Sequence, residues 1–74
     1  MSELIPVNPD VLRWARESLH LSVEEVALRM KKEATEVEAW ERGEALLTYV
    51  QLERLAYEIY KRPVALFFFP EPPE

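Results

Sequence analysis

The residues that could carry chemistry are few, and their spacing does not build an active site. His20 is the only histidine, and the chain contains no cysteine. A histidine without cysteines or clustered carboxylates is a poor metal ligand and a poor general base. The sequence also lacks the His-Glu-x-x-His pattern and any set of nucleophile, base and orienting group. We therefore expect no enzymatic activity, no metal and no cofactor, and we assign His20 to a turn with an unusual backbone angle.

The charge balance of the chain is acidic. Its 74 residues include nine Lys or Arg and 14 Asp or Glu, which gives a net charge of −5. This balance disfavours a general affinity for nucleic acid, although a small basic patch on an acidic domain can still dock a duplex. No apolar run approaches the roughly 18 residues of a membrane-spanning helix, and the N-terminus lacks the pattern of a signal peptide. We expect one small cytoplasmic domain with no membrane partner.

The stretch from Ser22 to Gly43 carries two short helical patterns separated by a small gap. Ser22 and Glu25 have the spacing of a reciprocal capping box, and apolar residues then recur at helical spacing to about Met30. An i, i+3 pair of valine and tryptophan anchors the second pattern, which ends at Gly43, the only glycine. A connection this short forces the second helix to cross the first steeply, which is the geometry of a helix-turn-helix.

From about Val7 to Leu66, and without a gap, the sequence resembles the lambda-repressor-like Xre (Cro/cI-type) DNA-binding domains. The residues that carry the resemblance are Ser22, Glu25, Val26, Ala27, Met30, Val37, Trp40, Glu41, Arg42, Gly43, Thr48, Leu52, Leu55 and Ala56. The resemblance implies an all-α, five-helix helix-turn-helix bundle. It also implies an ion pair between Arg16 of helix 1 and Glu41 near the end of helix 3.

The resemblance further implies a transcriptional regulator that reads double-stranded DNA. In the family, helix 3 enters the major groove, its first turn reads base edges, and flanking positions contact phosphates. Carried over by position, with the basic residue of the turn added, the DNA-binding set is Ser22, Val23, Lys32, Ala34, Thr35, Ala39 and Arg42. The expected base readers are Ala34, Thr35 and Ala39, which are short. Because glutamates crowd the same turn, we expect weak, salt-dependent binding that needs a homodimer on its operator.

Two features depart from the family pattern. Thr35 and Glu38 form a second capping-box pattern, which predicts that helix 3 begins later than in the family, with Thr35 as its cap. Lys31 stands where the family commonly has the glycine of the turn, which is a departure from the family's standard turn.

The remaining segments support the central pair. Asn8 and Pro9 begin a first helix that we expect to end at Ser18. The predicted buried stripe of this helix is Val11, Leu12, Ala15 and Leu19. Further predicted helices are Tyr49–Tyr60 and Pro63–Phe68, and residues 44–47 are predicted to form a linker. The predicted organisation is an extended segment over 1–8, the helix-turn-helix domain over 9–69, and a proline-rich tail or linker over 70–74.

The run of Phe67, Phe68 and Phe69 allows two interpretations. These side chains either close the core against helix 1 or form a surface for a second copy or another protein. The ending that follows resembles the junction at which an Xre-type domain precedes an ImmA/IrrE-type zinc peptidase domain. The alternative to DNA binding is therefore a protein-interaction module on the same fold, either an antitoxin with a toxin partner or a regulator fused to a peptidase.

Overall fold

The computed structural model describes residues 4–73 and shows a mostly helical fold with one small sheet. The elements in chain order are β1 (Leu4–Ile5), α1 (Pro9–Ser18), α2 (Val23–Met30), α3 (Ala34–Arg42), β2 (Leu47–Thr48), α4 (Tyr49–Glu53), a π-helical segment (Arg54–Ile59) that continues α4, and a 3₁₀ helix (Val64–Phe68). The expected fifth α-helix is thus a 3₁₀ helix. Residues 1–3 of the expected extended segment and residue 74 of the expected tail lie outside the described residues.

Side-chain caps explain where two of the helices begin. The Asn8 side chain accepts a hydrogen bond from the Asp10 N–H at 3.0 Å, as predicted for the start of α1. At α2, the Ser22 hydroxyl accepts from the Glu25 N–H at 3.0 Å and the Glu25 carboxylate accepts from the Ser22 N–H at 3.0 Å. These bonds satisfy backbone donors that the first turn of a helix leaves without partners.

The start of α3 differs from the prediction. The helix begins at Ala34, and Thr35 lies inside its first turn, so the prediction that Thr35 caps the helix is wrong. The physical reason is that the Glu36 carboxylate accepts from the Glu33 N–H at 3.3 Å, which extends the helix toward its N-terminus. Thr35 is therefore left exposed on the surface of α3.

Three α-helices end in the same way, on a residue with left-handed backbone angles. His20, Lys31 and Gly43 have φ values of 58°, 59° and 76°. The backbone N–H of the residue that follows each of them donates a hydrogen bond to the carbonyl five residues earlier in the chain, at 3.2, 2.9 and 2.9 Å. This is the Schellman motif. The assignment of His20 to a turn with an unusual backbone angle is confirmed, and Lys31 adopts left-handed backbone angles of the kind that a turn glycine supplies.

A two-stranded antiparallel sheet joins the N-terminal segment to the chain after α3. Leu4 pairs with Thr48 and Ile5 pairs with Leu47. The prediction that residues 44–47 are only a linker is therefore wrong at Leu47, which is fully buried. Strands this short carry almost no periodic signal, and they form here because the two segments meet in the fold. We call this pair of strands the ribbon.

The core lies between the helices and receives one phenylalanine from the 3₁₀ helix. Phe67 is fully buried, and its ring centroid lies 6.2 Å from that of Tyr60. At the end of the π-helical segment, the Tyr60 N–H bonds to the Leu55 carbonyl at 2.7 Å, the i to i−5 spacing of a π-helix. The predicted stripe of α1 is buried except for Leu19, which is 40% exposed because it follows the last helical turn.

Candidate functional site

The most strongly held polar contact of the fold joins α1 to the end of α3. Arg16 Nε donates to Glu41 Oε2 at 2.7 Å, and Arg16 Nη2 donates to Glu41 Oε1 at 3.0 Å. Arg16 Nη1 also donates to the Leu21 carbonyl, at 2.9 Å. The two side chains are only 14% and 8% exposed. This bidentate pair fixes α3 relative to both α1 and the turn that leads into α2.

Two pKa shifts follow from this arrangement. The hydrogen bond to Glu41 raises the pKa of Arg16 above its usual value, so the guanidinium stays charged. Burial raises the pKa of Tyr60, and the negative charge of Glu41 raises it further, so the phenol stays neutral. Neither Arg16 nor Tyr60 is therefore poised for acid or base chemistry, and we call the ion pair of Arg16 with Glu41 the clamp.

The outer face of α3 begins in its first turn. Val37, Trp40 and Glu41 point inward and are buried. Thr35 and Arg42 are exposed, and Ala39 is half-buried. Because α3 is tied to α1 through Glu41 and packs against α2, this outer face is held rigidly at the surface.

One side of this face is a polar groove shared with α1 and the start of α2. Its volume is about 200 Å³. The residues that line it are Arg13, Arg16, Val23, Glu38, Glu41 and Arg42. Arg16 and Glu41 neutralise each other, and Arg13 Nη2 pairs with Asp10 Oδ1 at 3.0 Å. Arg13 and Arg42 are the exposed cations of this side, which we call the arginine flank.

The other side of the face is an apolar groove between α3 and the ribbon, which we call the ribbon groove. Its volume is about 400 Å³. From α3 it is lined by Thr35, Glu36, Ala39 and Trp40, and from the chain around the ribbon by Leu4, Ala45, Leu46, Thr48 and Gln51. Leu4 and Leu46 remain 58% and 46% exposed. The two sides of α3 therefore differ in chemistry, one lined mainly by charged side chains and one mainly by apolar ones.

Further basic residues surround the turn between α2 and α3. Lys31 and Lys32 are exposed, and Lys32 Nζ lies 3.9 Å from a carboxylate oxygen of Glu36. Arg29 is exposed in the last turn of α2. Cations thus stand at the turn before α3 as well as in the arginine flank.

Five of the seven predicted DNA-binding residues lie in three places on the surface. Val23 and Arg42 line the arginine flank, Thr35 and Ala39 line the ribbon groove, and Lys32 stands at the turn. The remaining two are Ser22, whose hydroxyl caps α2, and Ala34, which is half-buried against the core.

Sequence reasoning missed Arg13 and the apolar residues of the ribbon groove. Arg13 precedes Arg16 by three residues, so the helical pattern of α1 contained a signal for it. Leu4 and Leu46 carried no such signal, because only the long-range pairing of the ribbon brings them beside α3.

The phenylalanine run is split by the 3₁₀ helix. Phe67 turns into the core and is fully buried, so its prediction as an interface residue is wrong. Phe68 and Phe69 remain 48% and 47% exposed. The core interpretation holds for Phe67, while Phe68 and Phe69 are exposed, because consecutive residues of a tight helix point in different directions.

Among residues 4–73, no group of three or more histidine, aspartate or glutamate side chains is placed to hold a metal ion. Within the same part of the chain, every helix is too short or too polar to cross a membrane. Comparison of the chain with protein-family models, curated proteins and solved structures gave no match.

Proposed function

We propose that this chain is a lambda-repressor-like, Xre-type helix-turn-helix module that binds double-stranded DNA, with α3 in the major groove. The observation that carries the proposal is the rigid presentation of α3. Only residues 31–33 separate α2 from α3, and the clamp between Arg16 and Glu41 holds α3 against α1. A recognition helix must be held in this way, because base edges are read only by side chains at fixed positions. In this proposal the 3₁₀ helix corresponds to the fifth helix of the family.

The distribution of cations supports phosphate contacts along one side of α3 and at the turn that precedes it. Arg13 and Arg42 lie in the arginine flank, while Lys31 and Lys32 lie at the preceding turn. A helix inserted in a major groove lies beside phosphate backbones, so cations along one side of α3 and at the turn before it are placed to contact phosphates. The exposed glutamates on α3 oppose this attraction. Binding is therefore expected to be weak at physiological salt.

Base reading would depend on short side chains. Thr35 can contact a thymine methyl group or hydrogen-bond a base edge, and Ala39 can add apolar contact. Neither makes the bidentate contact that discriminates bases by about 1–3 kcal/mol. Specificity then requires two copies on half-sites about one helical turn apart, roughly 34–36 Å. A sequence-specific regulator on this plan acts as a homodimer or as the N-terminal part of a longer chain.

The experiment that tests this proposal is selection of random duplex DNA on the purified chain at low salt, followed by anisotropy measurements on enriched duplexes. We expect a palindromic consensus. Lys32→Glu should abolish binding to it, whereas Lys61→Glu, the same charge change outside the proposed interface, should reduce affinity only slightly. The absence of any enriched sequence would overturn the proposal.

A second candidate function is a protein-interaction module on the same fold. The observation that favours it is the exposed pair Phe68 and Phe69 at the C-terminal end of the described chain. Exposed aromatic residues are enriched at protein interfaces. Phe68→Ser should weaken self-association or partner binding in sedimentation experiments without unfolding the domain, whereas Lys32→Glu should leave such binding intact.

A further inference from the structure

We infer that the ribbon groove is a docking site for a polypeptide segment that carries apolar side chains flanked by lysine or arginine. The groove is large enough for this role, because its volume of about 400 Å³ lies within the roughly 300–1,000 Å³ of ligand sites in proteins. Trp40, only 5% exposed, contributes to its lining, and the exposed Leu4 and Leu46 border it. Covering these leucines removes apolar surface from water, which drives association.

The charge around the groove selects the kind of partner. Among the described residues that line it, Glu36 alone is charged. The surrounding segment 33–46 contains five glutamates and a single arginine. Two of these glutamates, Glu38 and Glu41, lie among the arginines of the other flank. Glu36 also contacts the exposed Lys32, but at 3.9 Å this ion pair is weak. The one charged side chain that lines the ribbon groove is thus negative and exposed, which favours a basic segment over an acidic one.

The groove also offers a donor for a peptide backbone. The Thr48 N–H donates to Gln51 Oε1 at 2.9 Å, and the Gln51 N–H donates to the Thr48 hydroxyl at 3.1 Å. This capping box fixes the Gln51 side chain through its oxygen and leaves the amide N–H groups of Gln51 for a carbonyl of the docked segment. An apolar centre with a few oriented polar groups is the usual composition of a recognition site.

Docking at this site would regulate the proposed DNA binding. Thr35 and Ala39 line the ribbon groove and are also the expected base readers on α3. A segment in the groove would cover both residues, so a docked segment and a duplex exclude each other. This exclusion rests on the proposed function, whereas the docking itself does not.

The test follows the two tryptophan indole N–H signals of the full chain by NMR. Trp40 lines the groove. Trp14 is not among the residues that line it and stacks under Arg62, whose Cζ lies 4.7 Å from the centroid of the Trp14 ring, so Trp14 serves as an internal control. The probe is a short synthetic peptide of leucines flanked by lysines. Two matched peptides carry glutamates in place of the lysines or serines in place of the leucines. We expect only the leucine-lysine peptide to shift the Trp40 signal, with the Trp14 signal unchanged.

Variants of the groove sharpen this test. Leu46→Ser should weaken peptide binding about tenfold, since it removes exposed apolar surface that the bound peptide would cover. Its matched control is Leu28→Ser, which changes a leucine that is 79% exposed on α2. Glu36→Lys should weaken binding about two- to fivefold, as expected for an exposed charge pair, whereas Glu71→Lys in the exposed tail should have no effect.

Two outcomes would overturn the docking proposal. One is that the serine-containing peptide binds as well as the leucine-lysine peptide, which would reduce the interaction to charge alone. The other is that no peptide shifts the Trp40 signal, including the case in which only duplex DNA does. Displacement of a selected duplex by the leucine-lysine peptide would support the exclusion. If no duplex can be selected, the proposed function fails, while peptide binding still tests the groove.

Discussion

Replacing Glu41 by leucine tests whether the clamp between α1 and α3 stabilises the fold. The substitution leaves the Arg16 guanidinium, only 14% exposed, without its two carboxylate acceptors at 2.7 and 3.0 Å. Arg16 retains its hydrogen bond to the Leu21 carbonyl, and its remaining exposure allows some hydration. We therefore expect a loss of about 3 kcal/mol, at the lower end of the ~3–5 kcal/mol found when one partner of a buried pair is removed.

A loss of this size is large for a small domain. A chain of this length has a free energy of unfolding on the order of 4–11 kcal/mol. The melting temperature should fall by roughly 12–24 °C. Urea denaturation followed by circular dichroism gives the loss directly, provided that the slope of the transition is unchanged.

A double variant separates an unpaired charge from lost packing. Arg16→Met combined with Glu41→Leu should recover much of the stability, since an apolar pair of similar volume can replace a buried ion pair. Arg13→Ala is the matched control, because it breaks the exposed 3.0 Å pair with Asp10 and should cost less than about 1 kcal/mol. If Glu41→Leu costs no more than Arg13→Ala, the clamp does not stabilise the fold.

Three further predictions address other parts of the fold. Gly43→Ala should destabilise the domain by about 1–2 kcal/mol, since φ is +76° there, and unchanged stability in urea would contradict it. Phe67→Ala should cost about 3–5 kcal/mol, whereas Phe68→Ala should change stability by less than about 0.5 kcal/mol; equal losses would place both side chains in the core. The Glu25 carboxylate accepts hydrogen bonds from Ser22, chiefly from the Ser22 backbone N–H, and these lower the pKa of Glu25. The stabilisation that Glu25 provides is therefore present above its ordinary pKa of 4.5 and is lost as the pH falls through the lowered value. Glu25→Gln should therefore flatten the acid side of the stability profile, and an unchanged profile would exclude this role.

The features that could be predicted from the sequence are those with a local cause. Asn8, Ser22 and Thr48 mark helix starts because a cap needs only residues within one turn. The sequence predicts the wrong start for α3 because two capping-box patterns overlap there. One pairs Glu33 with Glu36, and the other pairs Thr35 with Glu38. Only the folded geometry selects one of them.

The parts that the sequence could not predict depend on long-range contacts. Phe67 and Phe68 are the same residue type, and only the direction of the 3₁₀ helix decides which one is buried. The ribbon groove forms because Leu4 pairs with Thr48, a contact between distant segments that leaves no periodic trace. The pairing of Arg16 with Glu41, expected from the family resemblance, is present in the structure.

The central claim is that α3 binds DNA and that the cations beside it and at the preceding turn contact phosphates. The most direct measurement is the salt dependence of binding to a selected duplex, by anisotropy, for the unmodified chain and for Arg42→Gln. We expect the logarithm of the binding constant to fall linearly with the logarithm of salt, and Arg42→Gln to reduce that slope by about one. An unchanged slope would contradict the proposed contact, and the absence of binding at low salt would contradict the assignment of α3 as a recognition helix.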